Sequence, residues 1–124
     1  MQNFFVINHK LPSLNDYINA CRYNRYKGAN LKKEVENIIS MFIHNAKMKN
    51  QVKAIKNPVI VHFAWHEKTK KRDYDNIASA KKFILDAMQK TGIIPNDNRK
   101  YIKGFTDTFV DDKSDFVVVI LEEI

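Results

Sequence analysis

The chain has one cysteine, Cys21, and only three glycines and three prolines among 124 residues. A single thiol excludes an internal disulfide framework and a zinc centre built on several cysteines, and it suits a reducing compartment such as the cytosol. Sparse glycine and proline exclude collagen-like and low-complexity chains. No apolar run approaches the roughly 20 residues of a membrane-spanning helix, so no membrane partner is expected. The opening residues MQNFFVINHK lack the basic start and apolar run of a secretion signal. Acidic residues are the minority charge: 14 Asp and Glu stand against 21 Lys and Arg, a net +7. That balance favours a polyanionic partner by long-range attraction and counterion release, and leaves open whether it is DNA, RNA or an acidic protein.

What is present is enough for a core. Leu, Ile, Val and Phe make 36 of the 124 residues, well above the roughly 20% below which chains tend to disorder. The length predicts one domain over 1–124. Phe4 to Ile7 is an apolar run and predicts a first strand. Ser13 follows Pro12 and can cap a helix from Leu14. Between Leu14 and Lys27, Arg22, Tyr23, Arg25, Tyr26 and Lys27 interleave cations with rings. Such a pattern suits nucleic-acid contact, and equally suits tyrosines packed on a core. Gly28 is expected to break the pattern. A longer helix is predicted from about Asn30 to Met48, with Leu31, Val35, Ile38, Ile39, Phe42 and Ala46 as its apolar stripe.

Val59 to Trp65 has strand composition, with Val59, Val61, Phe63 and Trp65 on one face and Ile60, His62 and Ala64 on the other. His62 and His66 then share a face and are secondary candidates for metal or proton chemistry. Lys100 to Val110 predicts a weaker strand. Asp115 to Leu121 is an almost continuous apolar strand of the kind covered on both faces. The polar turn between these two predicts a hairpin. The expected architecture is α+β: a small mixed sheet with packed helices.

The richest chemistry lies from Lys68 to Asp97. Lys68, Lys70, Lys71 and Arg72 run into Asp73 and Asp75, a helix follows from about Asn76 to Lys90 with Lys82 inside it, and a turn after Gly92 leads to Asp97. In an extended backbone Asp73 and Asp75 point the same way. Two close carboxylates repel, and a hard divalent cation relieves that repulsion. Mg²⁺ and Mn²⁺ take oxygen ligands, commonly one or two carboxylates with waters and phosphate oxygens. The plain alternative is structural: Asp75 is well placed as a helix cap, and Lys82 with Asp86 forms an ordinary i,i+4 pair. Ile77, Ala80, Ile84, Ala87 and Met88 define an apolar face. Asp75, Ser79, Lys82 and Asp86 lie on the opposite side.

These residues resemble the RusA-type Holliday junction resolvases of phages and prophages. The shared pattern is RD-x-DN, a helix with K-x-x-x-DA, a glycine, and an aspartate five residues later: Arg72, Asp73, Asp75, Asn76, Lys82, Asp86, Ala87, Gly92 and Asp97. The early LPSLN, Leu11 to Asn15, is similar to the family's N-terminal loop. The resemblance implies a cytoplasmic, Mg²⁺-dependent endodeoxyribonuclease (Mn²⁺ substituting), acting in recombination and repair within a bacterial or phage-infected cell. It implies that Asp73, Asp75 and Asp97 bind metal, that Lys82 completes the catalytic set, and that the enzyme is a homodimer making paired nicks in four-way junctions. The interval from Asp75 to Lys82 is about one helical turn longer than the family's. Alignment forward from Asp75 leaves Lys81 and Lys82 both open, and the DA anchor with the helix geometry selects Lys82. Lys68, Lys70, Lys71 and Arg72 would dock the DNA backbone. Two further expectations compete with cleavage: a non-catalytic branched-DNA-binding protein, and a basic protein-interaction module of a phage replication complex.

Overall fold

A computed structural model describes residues 3–124. The elements in chain order are β1 (Asn3–Ile7), α1 (Leu14–Tyr23), α2 (Arg25–Met48), β2 (Val59–Glu67), α3 (Tyr74–Ala78), α4 (Lys81–Lys90), β3 (Ile102–Asp111) and β4 (Phe116–Glu123). The fold is the expected α+β domain with one mixed four-stranded sheet, in the order β1-β4-β2-β3.

The predicted hairpin does not form. β3 pairs parallel with β2, and β4 pairs antiparallel with β2 on its other side and with β1 beyond. The polar connection after β3 therefore straddles β2, a span of two strand spacings or roughly 9.6 Å. Its residues bind the strand they cross: Asp112 N–H donates to the Glu67 carbonyl at 3.0 Å, and Lys68 N–H donates to Asp115 Oδ1 at 2.8 Å. A short polar turn between two strands usually means a hairpin, and only such non-local bonds distinguish this crossing.

The predicted alternation of β2 holds. Val59, Val61, Phe63 and Trp65 are buried, and Glu67 continues that row. Phe5, Ile7, Val117, Val119 and Leu121 bury with them against Val35, Ile39 and Ile43 of α2 and Ile84, Ala87 and Met88 of α4. All five residues assigned to the apolar face after Asp75 are buried. Among the described residues, no helix is long and apolar enough to cross a membrane.

Two helix boundaries differ from expectation. Gly28 does not break a helix: α2 starts at Arg25 and runs through it. The break falls at Asn24, which is extended and whose side chain caps α2 by accepting from Lys27 N–H at 2.8 Å. Gly28 instead allows close packing, because a Cβ there would meet Cys21 Sγ at 2.5 Å. The helix predicted from Asn76 is divided, with α3 ending at Ala78 and α4 starting at Lys81. Ser79 Oγ donates back to the Asn76 carbonyl at 2.6 Å, a local bond that competes with helix propagation.

Candidate active site

The chain leaves β2 at Glu67 and is immediately pinned. Arg72 donates to both Glu67 oxygens, Nε to Oε1 at 2.8 Å and Nη2 to Oε2 at 2.9 Å, while Nη1 donates to the Leu11 carbonyl at 2.9 Å. Both side chains are largely buried, 16% and 10% exposed. A bidentate pair of this kind fixes geometry as well as charge. It joins the LPSLN loop to the start of the carboxylate segment. Ser13 and Asp16 stiffen that loop with a reciprocal capping box on α1. The Arg72 guanidinium, expected to dock DNA, is thus turned inward. Lys68, Lys70 and Lys71 are exposed, with Lys70 3.6 Å from Asp111 at the surface.

Asp73, and not Asp75, occupies the N-cap position of α3. Its backbone is extended, its carbonyl accepts from Ile77 N–H at 3.1 Å, and its side chain makes no capping bond. Tyr74 and Asp75 are already helical, so the extended alternation expected across Asp73 and Asp75 stops at the first of them. Asp75 Oδ1 accepts from Asn76 N–H at 3.0 Å. Both carboxylates are exposed, and neither forms an ion pair among the described residues. The intervening Tyr74 turns aside and stacks on Phe109, ring centres 4.2 Å apart.

Asp97, in the loop before β3, is held by Lys82. Lys82 Nζ is 2.9 Å from Asp97 Oδ2 and 3.0 Å from Asp86 Oδ1. The hydrogen bond to Asp97, then that to Asp86, raises the lysine pKa above its ordinary value. Lys82 is therefore a cation, suited to stabilising negative charge and unsuited to taking a proton near neutral pH. Lys32 reaches Asp86 from α2 at 3.6 Å. Neighbouring Glu36 has a raised pKa, from burial first and from the Asp86 carboxylate.

The neighbouring Lys81 has a different environment. Its Nζ donates to Asp107 Oδ2 at 2.8 Å and lies over the rings of Phe63 and Phe105. Asp107 Oδ1 accepts from the buried Trp65 Nε1 at 2.9 Å. Of the two lysines, Lys82 is the one in contact with Asp97. Sequence reading passed over Asp107 and Glu67. Their shared signal was a carboxylate in phase with the apolar face of a strand, Asp107 with Phe105 and Phe109, Glu67 with Trp65.

His62 and His66 lie on the opposite face of the sheet from Trp65 and Glu67. His62 meets Thr106 Oγ1 at 2.6 Å and Glu122 at 3.1 Å, and His66 meets Asp112 at 2.8 Å while stacking on Phe116. Their carboxylate partners are Glu122 and Asp112, and not Asp73, Asp75 or Asp97.

Among the described residues no three His, Cys, Asp or Glu side chains gather closely enough to hold a metal. The set Asp73, Asp75 and Asp97 is therefore not assembled within one chain. A hydrated Mg²⁺ needs only one or two carboxylates beside waters and substrate phosphate. Asp73 and Asp75, each exposed and without an ion pair among the described residues, are oxygen donors of the kind such an ion takes. No protein-family model and no curated protein matches this chain.

Proposed function

We propose that this protein is a structure-selective endodeoxyribonuclease that resolves four-way DNA junctions and related branched DNA. The observation that carries the reading is the contact of Lys82 with Asp97 at 2.9 Å across 15 residues. It brings together two residues that the resemblance to RusA-type resolvases singles out. The Arg72 bond to Leu11 supports it further, since it links the two segments on which that resemblance rests.

Asp73 and Asp75 would hold the Mg²⁺ or Mn²⁺ ion. When bound, such an ion supplies water activation and neutralises charge on the scissile phosphate. Lys82 contributes a permanent positive charge for the phosphate oxygens. Asp97 orients that ammonium through Oδ2; acting as a third metal ligand would require the loop that carries it to bring it beside Asp73 and Asp75. Lys68, Lys70 and Lys71 supply sequence-independent phosphate contacts. Two symmetric cuts across a junction suit a C₂ homodimer with one site per subunit, acting in the cytoplasm.

A second reading, a branched-DNA-binding protein without cleavage, draws on one observation: the three carboxylates do not gather. The deciding experiment compares a synthetic four-way junction with a linear duplex, in Mg²⁺ or EDTA, for wild type and Asp75→Asn. Paired nicks on the junction alone, abolished by EDTA and by the substitution, are expected. Tight junction binding without nicks in Mg²⁺ or Mn²⁺ would establish the second reading.

A further inference from the structure

The elbow between α1 and α2 carries two tyrosines that the core does not use. Tyr23 ends α1 and Tyr26 is the second residue of α2, and they are 73% and 69% exposed. Exposure on this scale removes the packing explanation for the aromatic pattern. Both residues line one concavity of about 700 Å³, together with Lys27, Asn19, Asn24 and Asn30. Lys27 Nζ lies 4.4 Å from the Tyr23 ring centre, and Arg25 Cζ lies 5.4 Å from that of Tyr26. Three cations, Arg22, Arg25 and Lys27, stand at the elbow, and residues 17–33 contain no acid.

Two carboxylates also line the concavity, Asp16 and Glu34. Asp16 is engaged in the α1 capping box, accepting from Ser13 N–H at 2.8 Å. Glu34 lies seven residues beyond Lys27 on α2, about two helical turns away. The elbow is also firmly built, through the Asn24 cap and the close approach of Gly28 to Cys21.

We infer that this elbow binds a single-stranded nucleic acid, unpaired bases stacking on Tyr23 and Tyr26 while Arg22, Arg25 and Lys27 hold the phosphates. Rings with adjacent cations are the physical basis of sequence-tolerant single-strand binding, and Asn19 and Asn30 offer donors and acceptors to exposed base edges. In a duplex the bases are already stacked on one another, so the rings discriminate in favour of unpaired strands. The elbow stands at the far end of α1 from Leu14, which lines a separate cavity with Ser79 and Lys82. Its role is therefore additional to that of the carboxylate segment.

The test is fluorescence anisotropy in EDTA with a labelled oligothymidylate of about 12 nucleotides, beside a duplex carrying a similar number of phosphates. Tyr23→Ala with Tyr26→Ala should weaken single-strand binding about tenfold or more and leave duplex binding within about twofold. The corresponding Phe pair should bind like wild type, since the ring and not the hydroxyl does the stacking. Arg25→Ala with Lys27→Ala should weaken both probes and reduce the single-strand salt slope by about 0.7 for each phosphate no longer neutralised. Because both rings are exposed, these changes spare the core. Equal loss on both probes, unchanged binding by the alanine pair, or preference for polyglutamate over oligothymidylate would overturn the assignment. Metal-free binding separates it from the cleavage reading: junction nicking with no elbow effect sinks only this inference, and elbow binding without nicking sinks only the other.

Discussion

Lys82 stands between Asp97 at 2.9 Å and Asp86 at 3.0 Å, one exposed cation tying the middle of α4 to the loop before β3. Asp97→Asn should lower the Lys82 pKa toward its ordinary value, as read by NMR titration of the ammonium group. The sign of the stability effect follows from the raised pKa. The pair's contribution is fully present below the ordinary lysine pKa and is lost as pH rises through the raised one. At 65% exposure the effect should stay below about 1 kcal/mol. Denaturant melts of wild type and Asp97→Asn should differ slightly at neutral pH and converge at strongly alkaline pH. A gap that widens with pH would contradict the assignment.

The Arg72–Glu67 pair predicts a far larger effect. Arg72→Ala leaves the buried Glu67 carboxylate without its partner and should cost about 3–5 kcal/mol. Arg72→Lys should recover only part of this, because an ammonium cannot reproduce the two-pronged contact and the Leu11 bond together. Urea denaturation measures both; full recovery by lysine would show that charge alone matters there.

The proposed metal binding by Asp73 and Asp75 can be tested through stability alone. Saturating Mg²⁺ or Mn²⁺ should raise the melting temperature of wild type, a gain of about 2.7 kcal/mol at a hundredfold excess over Kd. The gain should vanish in Asp73→Asn with Asp75→Asn. It should persist in Asp97→Asn, because one or two carboxylates suffice for a hydrated ion and Asp97 does not gather with the other two. Disappearance of the shift in Asp97→Asn would place that carboxylate among the ligands after all.

Gly28→Ala should destabilise the domain by about 1–3 kcal/mol through overpacking. The added methyl would fall 2.5 Å from Cys21 Sγ and 3.1 Å from Cys21 Cα. Adding Cys21→Ala removes the sulfur and leaves the backbone contact, so the double variant should be rescued in part. Thermal melts of the two single variants and the double variant test this, and strict additivity would argue against a direct clash.

Much of the fold was legible because burial imposes periods. The alternation from Val59 to Trp65, and the face from Ile77 to Met88, were written in residue spacing and appear in the structure unchanged. The strand order was not legible, since nothing local separates a hairpin turn from a connection that crosses β2. At the site, the Lys82–Asp86 pair was legible from its i,i+4 spacing and forms at 3.0 Å; the contact of Lys82 with Asp97 was not, because the turn after Gly92 sets that distance only in the folded chain. Nor was the burial of Arg72, because its partners Glu67 and Leu11 meet it only in three dimensions. Gly28 was misread for a related reason: glycine serves equally to end a helix and to let two helices touch.

The place of β4 between β1 and β2 has a kinetic side. β4 is the last of the eight elements to be synthesised, and it alone connects β1 to the rest of the sheet. Until it inserts, β1 has no strand to pair with and β2 presents an open, strongly apolar edge. Closing the sheet thus waits on contacts between distant parts of the chain, which slows folding. During that wait the unpaired edge of β2 is the segment most exposed to aggregation.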